Sequence, residues 1–277
     1  MARPVLKWAG GKRRLIGEII KLFPTDYHKR AYHEPFFGGG AIFFYLAPEK
    51  GSINDVNIRL MNFYKVLKDK PDELINEASK YVYKKDEYYR LRSRFNEDSL
   101  SNVEDAAILL YLNKTGYNGL YRVNSKGRYN VPFGRYKNPT IIDEEKIREA
   151  SAILKRIDIY SERFTSVKKK AESGDIVYFD PPYLPISETS DFTEYSKVGF
   201  GYDDHELLRD TCVELDEKGV LFIQSNSHIE AIIELYEDIG EFSINTVQMN
   251  RAINSKASSR GEVNEILITN IPKKIEK

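Results

Sequence analysis

The chain has 277 residues, 41% apolar and 12% aromatic, which is enough for one domain with a large insertion or for two domains. No apolar run approaches the roughly 18 residues that a membrane-spanning helix needs, and the polar start is unlike a signal peptide, so we expect no membrane association. A single cysteine, Cys212, excludes an internal disulfide framework, which together with the polar start favours a cytoplasmic protein. The 42 basic residues balance the 42 acidic ones, so the chain as a whole does not indicate an acidic partner.

The first motif is the glycine-containing segment Lys7–Lys12, KWAGGK. It lacks the serine or threonine and the glycine spacing of a phosphate-binding loop, which excludes a nucleoside triphosphatase of that type. Neither Trp8 nor Lys12 needs a binding role to explain its presence. Trp8 can be packed in the core, and Lys12 can be a surface charge near the start of a helix. A helix is predicted next, because apolar residues recur at helical spacing from Leu15 to Phe23.

A glycine-rich turn follows the first predicted strand, Ala31–Glu34. This turn, Glu34–Ala41 (EPFFGGGA), precedes a predicted apolar helix at Ala41–Leu46. Its glycines would let the backbone approach a cofactor closely at a helix N-terminus. The G-x-G-x-x-G spacing is absent, which argues against a dinucleotide fingerprint, and an ordinary tight turn is the alternative.

The second predicted strand, Ser52–Asp55, ends at an acidic residue 17 positions after Gly38. Open α/β sheets bind ligands at the carboxyl ends of their strands, where an acidic side chain accepts hydrogen bonds from ribose hydroxyls. The alternative is that Asp55 caps a helix beginning at Val56. Together, the glycine-rich turn and Asp55 predict a nucleoside pocket.

Residues 57–155 are predicted to form a mostly helical insertion. The predicted helices are Pro71–Tyr83, Asp86–Phe95, Val103–Lys114 and Asp143–Lys155. Between the last two lies the basic segment, Lys114–Lys137, with six basic residues, no acidic residue and interleaved aromatic side chains. Turn signals inside it predict a loop or hairpin. Concentrated positive charge favours a face that binds a polyanion, and a solvated surface loop is the alternative.

The strongest chemical signal is the DPPY tetrapeptide, Asp180–Tyr183, at the end of the predicted strand Ile176–Asp180. Two prolines stiffen the chain, and the Pro181 carbonyl stays able to accept a hydrogen bond. The Asp180 carboxylate and the Pro181 carbonyl could accept hydrogen bonds from the two N–H groups of an exocyclic aromatic amine. These bonds would return electron density to the amine nitrogen. Tyr183 offers a face on which a flipped base can stack. The alternative is a strand followed by a proline turn.

The remainder of the chain alternates again between helix and strand. A helix is indicated by Leu207, Leu208 and Leu215, and strands are predicted at Val220–Gln224, Ser243–Val247 and Glu265–Thr269. The polar stretch Ser187–Phe200 is either a mobile loop over the site or an ordinary surface connection. A second basic stretch, Met249–Gly261, has no carboxylate. The four histidines and Cys212 have no ligand spacing, so we expect no metal site.

Five motifs, in this order, resemble the Dam and DpnM family of adenine-N6 DNA methyltransferases over nearly the whole chain. They are Lys7–Lys12, Glu34–Ala41, Asn54–Asp55, Tyr117–Arg122 with Asn130–Tyr136, and Asp180–Tyr183. The resemblance implies an α/β fold, a Rossmann-like S-adenosylmethionine-dependent methyltransferase domain with a mostly helical target-recognition insertion that carries a β-hairpin loop. The catalytic domain would comprise residues 1–56 and 156–277, and the recognition domain residues 57–155.

The resemblance also implies a role for each matching residue. The implied S-adenosylmethionine contacts are Trp8, Lys12, Glu34, Phe36, Gly38, Gly40, Asp55 and Asp180, and the implied catalytic residues are Asp180, Pro181, Pro182 and Tyr183. The implied contacts to double-stranded DNA are Lys7, Tyr117, Asn118, Leu120, Arg122, Pro132, Arg135 and Arg260. A paired contact from Arg122 to guanine would contribute about 1–3 kcal/mol of discrimination. Tyr121 departs from relatives that have a cysteine there.

The implied reaction is methylation of adenine N6 in duplex DNA, within GATC, with a cognate restriction endonuclease on the same site as a candidate partner that need not touch the enzyme. Two alternatives remain open from the sequence. The tetrapeptide also suits the N4 amine of cytosine or a base in RNA. A DNA-binding protein that has kept the fold without turnover is the other alternative.

Overall fold

The computed structural model describes residues 2–12, 14–97, 99–184, 199–249 and 263–272. The fold is α/β, with helices around a mixed seven-stranded sheet whose strand order is β3-β2-β1-β4-β5-β7-β6. The strands are β1 Tyr32–Glu34, β2 Gly51–Asn54, β3 Asp158–Tyr160, β4 Ile176–Phe179, β5 Leu221–Ser227, β6 Ser243–Met249 and β7 Val263–Thr269. The helices are α1 Ile16–Leu22, α2 Ala41–Leu46, α3 Ile58–Asp69, α4 Pro71–Ala78, α5 Lys85–Phe95, α6 Asn102–Thr115, α7 Glu144–Leu154, α8 Tyr202–Glu217 and α9 Glu230–Ile233. Short 3-10 helices lie at Tyr27–Lys29, Tyr117–Gly119 and Phe164–Lys169.

The first of two compact units comprises Met1–Arg14 and Phe37–Arg163. Its centre is α6, in which residues 106–112 are all apolar and buried, with α3, α4 and α5 packed against the helix. The Ser101 side chain caps α6 by accepting a hydrogen bond from the Glu104 backbone N–H. In the same unit β2 and β3 pair in parallel, with Ile53 opposite Ile159.

The second unit comprises Leu15–Phe36 and Phe164–Lys277. Its central strand, β4, is buried along its whole length, as the uninterrupted run of apolar residues requires, and it pairs in parallel with β1 and β5. Strand β7 is antiparallel and lies between β5 and β6. One face of this sheet carries an apolar core in which Val177, Phe179 and Ile266 meet Leu208 and Leu215 of α8.

The sequence predictions for the elements agree well with these bounds. The six predicted strands and the helix Ala41–Leu46 are confirmed, whereas β3 was not predicted because it has only three residues and begins at the exposed Asp158. The helix predicted at Pro71–Tyr83 ends earlier, at Ala78. The predicted hairpin consists of two isolated antiparallel bridges, Gly116 with Phe133 and Val123 with Tyr129.

The functional division at residues 56/57 and 155/156 stays a prediction. The compact units fall at other positions, and they are defined by packing. Within the described ranges, none of the helices is long and apolar enough to cross a membrane.

Candidate active site and nucleic-acid interface

In the first unit, the carboxylate of Asp55 is fixed at the carboxyl end of β2. Its Oδ2 accepts a hydrogen bond from the Gly38 backbone N–H at 3.0 Å, and its Oδ1 accepts one from the Asn57 N–H at 2.9 Å. Burial raises the pKa of Asp55, while these two backbone bonds lower it by less. The cap of α3 is Asn57, whose side chain accepts from Leu60 N–H, so the helix-cap alternative for Asp55 is wrong.

The glycine-rich turn leaves no room for side chains at two of the predicted positions. Gly38 has φ +49°, and a Cβ there would lie 2.7 Å from Cδ1 of Trp8. Gly40 has φ +66°, and its Cβ would lie 2.4 Å from the Phe37 ring. Both positions require glycine, because left-handed backbone and close contact coincide. The turn thus presents bare backbone beside the indole of Trp8.

A nucleoside with two ribose hydroxyls fits the geometry around Asp55. An ionised carboxylate offers about four lone-pair sites, and the two backbone bonds use one on each oxygen. The remaining sites can accept from two adjacent hydroxyls. The other predicted cofactor residue of this unit, Lys12, is buried, with 7% of its surface exposed.

In the second unit, polar groups lie at the carboxyl ends of β1 and β4. Glu34 is buried and accepts a hydrogen bond from the Tyr32 hydroxyl at 2.7 Å. Phe36, which follows, is half-buried, with its ring stacked on Phe164 at a centroid distance of 5.1 Å. Asp180 is half-buried directly after β4. The fold therefore places Glu34 and Asp180 where ligands bind in sheets of this kind.

The DPPY tetrapeptide is braced by a residue that the sequence analysis did not single out. The Tyr183 hydroxyl donates to Oε2 of Glu265 in β7 at 2.7 Å. Burial raises the pKa of Tyr183, and the negative charges of Asp180 and Glu265 act in the same direction. The phenol therefore stays protonated and able to donate. The one signal for Glu265 is that it is the only charged residue in β7.

Two further buried groups lie around the tetrapeptide. Tyr178 of β4 shares a 2.7 Å hydrogen bond with Ser225, and its pKa is raised by burial and then by the charge of Asp180. His205 in α8 is completely buried. Burial lowers the pKa of His205 to about 4, against a smaller upward contribution from a hydrogen bond to the Pro182 backbone. His205 is therefore neutral near pH 7, behind the prolines.

The basic segment leaves the end of α6 and exposes most of the predicted DNA contacts. Tyr117, Asn118, Arg122, Pro132 and Arg135 are exposed, as is Lys7, while Leu120 is half-buried. Tyr117 exposes 53% of its surface, which is unusual for a tyrosine beside a packed helix bundle. Asn118 has a left-handed backbone with φ 53°, a conformation that asparagine tolerates. The Arg122 Nε donates to Oδ1 of Asn130 at 2.7 Å, which holds the guanidinium across the loop.

Helices of the first unit hold this exposed segment in one shape. Asn96 makes two hydrogen bonds to the backbone of Tyr129, at 2.7 and 3.0 Å. The Tyr88 hydroxyl donates to the Val131 carbonyl at 2.9 Å, and the Tyr83 hydroxyl donates to the Gly134 carbonyl at 3.0 Å. Backbone groups of the loop are thereby satisfied from α5 and its flanks, which leaves the exposed side chains available to a ligand.

Within each unit several of the predicted residues lie together. Trp8, Gly38 and Asp55 meet in the first unit; Asp180, Pro182 and Tyr183 are contiguous in the second. Arg260 and most of the stretches 187–200 and 249–261 lie outside the described residues. Among the residues that are described, no group of three or more histidine, cysteine, aspartate or glutamate side chains is arranged to hold a metal ion.

Comparison with known proteins gives one consistent result. The family model for D12 class N6 adenine-specific DNA methyltransferases matches residues 8–253. Type II methyltransferase M1.LlaDCHI of Lactococcus lactis subsp. cremoris is 46% identical, over 97% of this chain and 95% of that protein. Type II methyltransferase M.MjaIII of Methanocaldococcus jannaschii is 40% identical, over 97% and 99%. The DNA adenine methylase of Escherichia coli K12 is 32% identical, over 96% and 94%.

Proposed function

Because the chain belongs to the D12 class of N6 adenine-specific DNA methyltransferases, we propose that it transfers the methyl group of S-adenosylmethionine to an adenine rotated out of duplex DNA, within GATC. Membership of this class decides for adenine N6 in DNA over cytosine N4 or RNA, and for an enzyme over a binding protein without turnover. The observation that carries the finer proposal is the DPPY tetrapeptide at the end of β4, with Tyr183 fixed by Glu265 at 2.7 Å.

The proposed cofactor residues of the first unit are Trp8, Lys12, Gly38, Gly40 and Asp55. Asp55 would accept hydrogen bonds from the two ribose hydroxyls, beside the Gly38 backbone and the Trp8 indole that packs on it. Bound S-adenosylmethionine would supply an electrophilic methyl group on a positively charged sulfonium. The N–C bond would form as the C–S bond breaks, the leaving group would be the neutral thioether S-adenosylhomocysteine, and the methylated nitrogen would lose one proton to solvent. In the second unit, Glu34, Phe36 and Asp180 are the proposed contacts.

The proposed chemistry of the tetrapeptide is activation of a weak nucleophile. The adenine amine is a poor nucleophile because its lone pair is delocalised into the ring. The Asp180 carboxylate and the Pro181 carbonyl would accept hydrogen bonds from the two N–H groups of the amine. Pro182 would keep the turn rigid, and Tyr183 would stack on the base. Most of the rate enhancement then comes from positioning and electrostatics.

The proposed DNA interface is the exposed side of the basic segment together with Lys7. Tyr117 and Asn118 would enter the space around the displaced base pair, and Leu120, Arg122 and Pro132 would read neighbouring bases. Arg135 and Arg260 would contact the phosphate backbone. A cognate restriction endonuclease acting on the same site is the proposed partner; the higher identity to the two Type II methyltransferases than to the E. coli methylase supports this.

The test uses labelled S-adenosylmethionine and two adenine-unmethylated duplexes that differ only in having GATC or GTAC. Label should enter the GATC duplex, and nucleoside analysis should find it in N6-methyladenine. Asp180→Ala should abolish transfer while DNA affinity changes by less than about threefold, because the carboxylate acts on the amine and not on the backbone. Equal labelling of both duplexes by the folded parent would refute GATC, and no labelling of either would refute the proposed reaction.

A further inference from the structure

The ring of Tyr121 connects the basic segment to the tryptophan beside the glycine-rich turn. Tyr121 stacks on Trp8 with a centroid distance of 5.4 Å and an interplanar angle of 26°. Its other neighbour is Tyr129, edge-on at 5.7 Å. Tyr121 directly precedes the exposed Arg122 in the chain, so a single peptide bond separates the ring on Trp8 from the exposed side of the basic segment.

On the side of the turn, the contacts continue from this stack to Asp55. The Trp8 ring lies against Gly38, where an added Cβ would come within 2.7 Å of it. Gly38 donates to Asp55, and Asp55 accepts from Asn57. Burial raises the pKa of Tyr121, and a hydrogen bond with the Asn57 side chain opposes that change. Tyr121 is therefore linked to both backbone donors of Asp55, to Gly38 through the Trp8 ring and to Asn57 through its hydroxyl.

On the side of the basic segment, the buried Asn113 links the backbone of Lys7 to the loop. The Lys7 backbone N–H donates to Oδ1 of Asn113 at 2.8 Å, and Nδ2 of Asn113 donates to the carbonyls of Lys7 at 2.7 Å and of Gly119 at 3.0 Å. The Lys7 ammonium lies 4.4 Å from the centre of the Tyr136 ring. The Lys7 backbone is thus tied to Gly119 through Asn113, and the Trp8 ring is stacked on Tyr121.

We propose that Tyr121 is a positioning residue that couples duplex binding at the basic segment to cofactor binding beside Trp8. The inference rests on the proposed function, since it needs both ligands. A duplex contact that displaces the Arg122 backbone moves the Tyr121 ring, and the ring moves the indole beside which the nucleoside is received. Coupling of this kind is reciprocal, so the cofactor tightens duplex binding by the same factor.

The experiment uses Trp8 as its own reporter, because it is the only tryptophan in the chain. Tyr121→Leu and Tyr121→Met remove the ring and keep an apolar side chain; Tyr121→Phe is the matched control that keeps it. Trp8 emission is followed during titration with an unmethylated GATC duplex. Calorimetry gives the Kd of S-adenosylhomocysteine with and without that duplex.

In the parent and in Tyr121→Phe, the duplex should change Trp8 emission and tighten S-adenosylhomocysteine binding by about threefold to tenfold, the range expected for an aromatic pair. In Tyr121→Leu and Tyr121→Met, the duplex should no longer change Trp8 emission. The ratio of the S-adenosylhomocysteine Kd without the duplex to that with it should be close to one. Melting curves identify a variant that has not folded, and the other aliphatic variant then decides.

An unchanged Kd ratio in a folded aliphatic variant would overturn the coupling, as would a ratio of one in the parent. Failure of the proposed function would look different. The parent would then bind neither S-adenosylhomocysteine nor the duplex, or would not label GATC. A parent that labels GATC and shows the same ratio as Tyr121→Leu would leave the methyltransferase proposal standing and reject only the role of Tyr121.

Discussion

Replacing Glu265 with glutamine is expected to lower the rate constant of methyl transfer by about fivefold to tenfold. The Tyr183 hydroxyl donates to Glu265 over 2.7 Å. A hydrogen bond to a charged acceptor contributes about 1.5–3 kcal/mol, and one to a neutral amide about 1 kcal/mol. The substitution therefore loses about 0.5–2 kcal/mol, and the middle of that range, about 1.2 kcal/mol, corresponds to roughly an eightfold change in rate if Tyr183 must be held in place.

The assay is single-turnover transfer to a GATC duplex, combined with a double-mutant cycle. Tyr183→Phe removes the donor, so in that background Glu265→Gln should change the rate by less than twofold. Duplex affinity should stay within about twofold throughout. Glu241→Gln, at an exposed glutamate of the same unit, is the control and should have no effect. The reasoning is refuted if Glu265→Gln slows transfer as much in the Tyr183→Phe background as in the parent.

Three further outcomes are expected. Asp55→Asn should weaken S-adenosylhomocysteine binding by about tenfold to a hundredfold in calorimetry, because an amide replaces a charged acceptor. Gly40→Ala should lower the free energy of unfolding by about 2–4 kcal/mol in urea titrations, since its Cβ would lie 2.4 Å from the Phe37 ring at φ +66°. The pKa of His205, about 4 in the folded protein against 6.5 normally, should make stability fall by about 3 kcal/mol as pH decreases from about 6.5 to about 4, because the unfolded chain binds the proton first.

Each of these has a matched comparison. Asp55→Asn should leave duplex affinity intact, and equal loss of both affinities would contradict its assignment to the cofactor. Gly10→Ala has φ +78° with nothing within 4 Å of the added Cβ, so it should cost only about 1 kcal/mol. His205→Asn should flatten the dependence of stability on pH in that window, and an unchanged slope would show that other groups cause it.

The strands and the tetrapeptide could be predicted from the sequence because their signals are local. Ile176–Phe179 is a continuous apolar run, buried on both faces, and Asp180–Tyr183 follows it directly. The glycine-rich turn and Asp55 could be paired because both lie next to strand ends of an open sheet, and the bond from Gly38 to Asp55 agrees with that pairing.

The supporting residues could not be predicted, because their partners are distant in sequence. The sequence around Glu265 does not indicate that its carboxylate accepts a hydrogen bond from the Tyr183 hydroxyl. Asn113 directly follows the apolar run 106–112 of α6, and only the folded chain shows it bonded to Lys7 and Gly119. Single histidines carry little information, so the burial of His205 behind Pro182 was likewise beyond sequence reasoning.

The position of β7 has a consequence for biosynthesis. Strand β6 reaches β5 only through β7, which pairs with β5 on one side and with β6 on the other. A nascent chain that has emerged as far as β6 therefore has a bare edge on β5 and no place for β6, and Tyr183 still lacks Glu265. Completion of this half of the sheet, and of the brace on the tetrapeptide, must wait until β7 has left the ribosome.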